Sequence, residues 1–89
     1  MIRNSEFEIT KIADEYMAVP VGDEAISFHG VVTLSEPAAF VLNLLGEPRT
    51  KEELVDHLLE EYEVDRASAE ADLTAILQTF FELRLVLDE

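Results

Sequence analysis

The chain has 89 residues, no cysteine, and a formal charge of −14 from six basic and twenty acidic residues. That length fits a single domain, residues 1–89, and the lack of cysteine excludes disulfides, thiolate metal sites, iron–sulfur clusters and a cysteine nucleophile. Nucleic acids and anionic membrane surfaces both require clustered Lys and Arg, so the charge speaks against either as a partner; it suits a well-solvated surface or a field that selects basic partners.

The hydrophobic fraction of 48% is enough for a folded core and argues against disorder. The N-terminus carries no apolar signal-like run, and no apolar stretch is long enough to span a bilayer, so the expected location is the cytoplasm.

The hydrophobic period changes along the chain. Residues 7 to 34 alternate, and residues 35 to 84 repeat with helical spacing. Phe7, Ile9 and Lys11 fall on one face of a first strand, with Glu8, Thr10 and Ile12 on the other. Ala13-Asp14-Glu15 is a short connection to a second strand, Tyr16 to Val21, where Pro20 fits a strand end or an edge. Gly22-Asp23-Glu24 signals a turn. A third strand over 26–34 places Ile26, Phe28, Val32 and Leu34 on one face, and Gly30 within it suggests a bulge or a close backbone approach. Short connections make the three strands an antiparallel meander.

Ser35 is the expected N-cap of a first helix, which Gly46 and Pro48 close. Thr50 and Glu53 form a capping box at the start of a second helix, with a Leu54, Val55, Leu58 and Leu59 stripe. Asp65 caps a third helix that runs to about Leu83. Its apolar face comprises Ala69, Leu73, Ile76, Phe80 and Leu83, with Leu77 and Phe81 at the margin. Leu85-Val86-Leu87 reads as an extended tail. The fold class is therefore α+β, a three-stranded antiparallel sheet followed by three helices, the last two arranged as a possible helix-turn-helix.

Signals for catalysis are missing. His29 and His57 lack spaced co-ligands, no glycine-rich phosphate loop is present, and no serine sits in a nucleophile context. The expectation is a non-enzyme without metal or cofactor. DNA reading by the helix-turn-helix is disfavoured because the third helix opens with Asp65, Glu70 and Asp72 against one arginine, Arg66. An attachment serine of the carrier-protein type is also missing.

Peptide binding fits better. The third strand lacks the Lys or Glu that usually blunts an edge, so an extended peptide can add to it as a strand. Leu77 and Phe81 either line a groove between the third helix and third strand, or close the core under the tail. Wide apolar stripes serve both purposes.

The residues then become familiar. Val31-Val32-Thr33-Leu34-Ser35-Glu36-Pro37 with the helix after it, Arg49-Thr50-Lys51-Glu52-Glu53-Leu54-Val55, and Tyr62-Glu63-Val64-Asp65 followed by Ala69-Glu70-Ala71-Asp72-Leu73 resemble the PqqD-like family over roughly residues 7 to 88. The resemblance implies a winged-helix-like domain that binds the leader segment of a ribosomally made precursor peptide and presents it to a modifying enzyme, often a radical SAM protein. It implies leader contacts at Ser27, Phe28, His29, Gly30, Val31, Val32 and Thr33 on the third strand. On the third helix the expected contacts are Glu70, Asp72, Leu73, Thr74, Leu77 and Phe81, and on the peptide-binding hypothesis the two carboxylates select a basic or polar leader residue. A monomer or weak homodimer is expected. Two departures stand out: Ser35 replaces the family's usual Asn, and Arg84 replaces a Gly that would end the third helix in a left-handed turn. The related leader-binding proteins of lasso-peptide pathways usually carry an aromatic where this chain has Gly30-Val31. The alternative to leader recognition is a structural or regulatory winged-helix module that binds another protein or itself.

Overall fold

The computed structural model describes residues 1–22 and 30–88. The strands are β1 (Ile2–Arg3), β2 (Phe7–Ile12), β3 (Glu15–Pro20), β4 (Val32–Leu34) and β5 (Val86–Leu87), and the helices are α1 (Glu36–Leu44), α2 (Lys51–Glu61) and α3 (Arg66–Glu82). The architecture is α+β: a three-stranded antiparallel sheet in the order β2-β3-β4, then the three helices.

The alternating segment forms the hairpin that its pattern predicts. β2 pairs β3 from Phe7↔Pro20 to Ile12↔Glu15, so Ala13 and Asp14 alone make the turn. Both have positive φ, 49° and 68°, the condition a two-residue type I′ turn imposes to match strand twist. β4 pairs β3 through Tyr16↔Leu34, Met17↔Thr33 and Ala18↔Val32. The third strand is therefore shorter than 26–34 among the described residues, because Gly30 at φ 100° takes the chain out of extended geometry just before it. Among the described residues a Cβ on Gly30 would meet nothing within 4 Å, so the backbone angle is the described reason for a glycine here. The expected turn residues Asp23 and Glu24 lie outside the described residues.

Helix starts follow local chemistry. Ser35 Oγ accepts from the Ala38 N–H at 3.2 Å. Thr50 Oγ1 accepts from the Glu53 N–H at 3.2 Å while the Glu53 carboxylate accepts from the Thr50 N–H at 2.9 Å, a complete capping box. The Asp65 carboxylate accepts from the Ser68 N–H at 2.7 Å.

The end of α3 closes as a glycine would close it, although the residue is arginine. Arg84 adopts φ 61°. Its N–H donates to Phe81 O at 3.2 Å, and the Leu85 N–H donates to Phe80 O at 2.8 Å. That bond pair is a Schellman motif, with buried Leu85 beside buried Phe80 as its apolar contact. Leu85-Val86-Leu87 is then not a free tail. β5 pairs antiparallel with β1 through Ile2↔Leu87 and Arg3↔Val86.

Asn4 fastens this second, two-stranded sheet. It is the buried polar residue among the described residues. Its amide donates to Arg84 O at 2.9 Å, its side-chain oxygen accepts from the Glu6 N–H at 3.0 Å, and its own N–H donates to Leu85 O at 2.8 Å. One core results, from Phe7, Ala18 and Leu34 of the sheet, the inner faces of the three helices, and Leu85 and Val86.

Candidate functional site

β4 is the terminal strand of the described sheet, so one of its edges has no described neighbour. α3 runs beside it. Between them lies a cleft of about 310 Å³ lined by Val32, Thr33, Leu34, Ser35, Ala38, Ala75, Ile76, Thr79 and Phe80. Ile76 also lines a second, strongly apolar recess of about 110 Å³, walled by Pro37, Leu58, Tyr62, Val64, Ala69 and Asp72. Cleft and recess form one surface along α3 that passes the first turn of α1. Two exposed hydrophobic side chains mark its ends: Val31, 51% exposed, precedes β4, and Val64, 41% exposed, sits at the recess. Exposed apolar groups beside a strand edge with no described neighbour are the features of a surface that receives an extended chain.

The geometry of α3 explains which residues reach this surface. At about 100° per residue, Ala69, Leu73, Leu77 and Phe80 form the central stripe, and all are buried. Asp72, Ala75, Ile76 and Thr79 lie on one flank of that stripe, towards β4 and α1. Glu70 and Thr74 lie on the other, towards α2. There Lys51 Nζ donates to Thr74 Oγ1 at 2.7 Å, the Thr74 hydroxyl donates to Glu70 O at 2.8 Å, and Glu70 pairs with Arg66 at 4.0 Å.

Of the residues expected from sequence, Val32 and Thr33 line the cleft, Val31 and Gly30 lead into it, and Asp72 borders the recess. Ser27, Phe28 and His29 lie outside the described residues. Leu77, 6% exposed, belongs to the core, and Phe81 is 38% exposed; neither is among the described residues that line the cleft beside β4. Leu73 is fully buried beneath the surface. Ala75, Ile76 and Thr79 are not among the contacts expected from sequence; the small side chains of Ala75 and Thr79 one turn apart, leaving room beside the helix, are the signal that points to this flank.

Among the described residues no group of three His, Asp or Glu side chains is placed to hold a metal. His57 is half-buried, with Nε2 at 3.3 Å from Arg49 Nη1. Arg49 is a structural hub: its Nε donates to Leu44 O at 2.8 Å and its carbonyl accepts from the Met1 amine at 3.1 Å. Among the described residues no helix is long and apolar enough to cross a membrane.

Residues 15–86 match the family model for coenzyme PQQ synthesis protein D (PqqD). The chain belongs to the PqqD family. No curated protein sequence matches this PqqD-family chain. Two solved structures resemble it over nearly its whole length. TbiB1 in complex with the TbiA(beta) leader peptide has a TM-score of 0.77 at 25% identity, covering 99% of this chain and 100% of that one. Lasso peptide synthetase B1 complexed with the leader peptide has a TM-score of 0.73 at 21% identity, covering 97% and 95%, and is a likeness of fold.

Proposed function

We propose that this PqqD-family domain captures the leader segment of a ribosomally made precursor peptide as an added strand on β4, packed against α3, and presents it to a modifying enzyme that performs the chemistry. The observation that carries the reading is the β4 edge lying beside a continuous cleft on α3. Main-chain bonds to β4 supply affinity in such an arrangement, and side-chain pockets supply selectivity. The resemblance in fold to TbiB1, whose structure holds a leader peptide, supports it. A radical SAM protein is the enzyme partner we propose, as the resemblance to the PqqD-like family implies. The domain acts as a monomer or weak homodimer in this role, and a second copy paired on β4 would compete for the edge the peptide needs.

Amide NMR titration with leader peptides of neighbouring precursor genes tests the proposal. Shifts are expected in residues 31–35 and at Asp72, Ala75, Ile76 and Thr79, while Arg66, Glu70 and Thr74 stay still. Binding that moves the α2-side flank and leaves β4 unchanged would refute strand addition. A tight dimer indifferent to every peptide would favour the structural module.

A further inference from the structure

The recess at the α1–α2–α3 junction has one charged residue in an otherwise apolar lining. Leu58 and Ala69 are buried in its floor, Pro37, Tyr62 and Ile76 are half-buried walls, and Asp72 is the exposed rim. The Asp72 carboxylate has no ion-pair or hydrogen-bond partner among the described residues, whereas Glu70 two positions away is held by Arg66. Glu36, which accepts from the Tyr62 hydroxyl at 3.4 Å, adds a second carboxylate close by. Burial, then the Glu36 and Glu61 carboxylates, hold the Tyr62 hydroxyl above its ordinary value of 10.0, in keeping with a negative local field. A chain with formal charge −14 offers little to repel a cation here.

We propose that the recess takes a lysine or arginine of the bound peptide, its methylene stem against Ile76, Tyr62 and Val64 and its cationic end at Asp72. Long basic side chains combine an apolar stem with a charged head, and this recess presents the matching pair of surfaces. The position follows from the fold. The recess shares Ile76 with the cleft but lies towards the N-terminal half of α3, past the Ser35 end of β4. The basic residue is therefore outside the strand-paired segment, where the peptide leaves β4 and follows α3 towards Asp72. The inference rests on the peptide-binding reading above and assigns the chemistry of one anchor within it.

Selection of random peptides displayed on phage against the intact domain is the test. Enriched peptides are expected to carry Lys or Arg at one fixed position beside an extended apolar stretch. A synthetic copy of such a peptide should bind Asp72→Asn about five-fold more weakly and Glu70→Gln unchanged. Selection against Asp72→Lys should replace the basic residue with Asp or Glu. Enrichment of purely apolar side chains at that position, or equal losses for the two amide variants, overturns the basic anchor and leaves strand addition standing. Failure to enrich any peptide that shifts the β4 amides overturns the reading beneath it as well.

Discussion

Leu73 and Ile76 are three residues apart on α3, and the structure gives them different tasks. Leu73 is fully buried in the core, while Ile76 is half-buried and lines both the cleft and the recess. Leu73→Ala removes a wholly enclosed side chain and should cost about 3 kcal/mol of stability, within the range found when buried leucines are truncated. Ile76→Ala should cost about 1 kcal/mol, because part of that side chain is already in water. Peptide affinity reverses the order. A bound chain covers the remaining apolar surface of Ile76, so its loss should weaken binding by roughly 1 to 1.4 kcal/mol, about five- to ten-fold in Kd. Leu73→Ala should bind normally wherever it is folded. Urea unfolding followed by circular dichroism measures the first quantity, and fluorescence anisotropy of a labelled, phage-selected peptide at low temperature measures the second. If folded Leu73→Ala loses as much affinity as Ile76→Ala, or Ile76→Ala binds as the parent does, the division of α3 into core stripe and binding flank is wrong.

Asn4→Ala should destabilise the domain by roughly 2 kcal/mol in urea unfolding, since Arg84 O and the Glu6 N–H both lose the side chain that satisfies them. Arg84→Gly should raise stability by about 1 kcal/mol, because φ 61° is costly for a residue with a Cβ and free for glycine; a lower denaturation midpoint would contradict it. Asp65→Asn should change the acid limb of the stability curve. Hydrogen bonds from Ser68 hold the Asp65 carboxyl below its ordinary value of 3.8, so its contribution is present above that pH and is lost as pH falls through the lower folded value. Asparagine caps without titrating, so the advantage of the parent over Asp65→Asn should shrink on acidification below about pH 4, measured by thermal unfolding across pH.

Much of this fold is legible because its signals are local. Ser35, Thr50 with Glu53, and Asp65 announce three helices, and each cap satisfies an amide only three residues away. The Phe7–Pro20 hairpin follows from alternation and a short connection. β1 and β5 escape notice because two-residue strands carry no period. They exist through pairing between the chain's two ends and through Asn4, whose bonds to Arg84 and Leu85 span nearly the whole sequence. Arg84 is a different case: residue type argues against a left-handed C-cap, yet burial of Leu85 against Phe80 outweighs an angle cost of about 1–2 kcal/mol.

The site is less legible than the fold, for a reason visible on α3. Periodicity identifies the buried stripe of a helix but is symmetric about it, so it cannot say which flank meets the sheet and which meets the preceding helix. Apolar character draws attention to Leu77 and Phe81; the space beside β4 exists because Ala75 and Thr79 are small. The opposite flank is occupied by the Lys51–Thr74 hydrogen bond and the Arg66 ion pairs with Asp56 and Glu70. Those polar ties are exposed and individually weak, but they add to the buried Ala69, Leu73, Leu77 and Phe80 stripe in holding α3, among the described residues, by its centre and its α2 side. A helix fixed by its centre and one flank offers the other as a rigid wall. Such a wall, beside a strand edge with no described neighbour, spares an incoming peptide the cost of ordering the surface it joins.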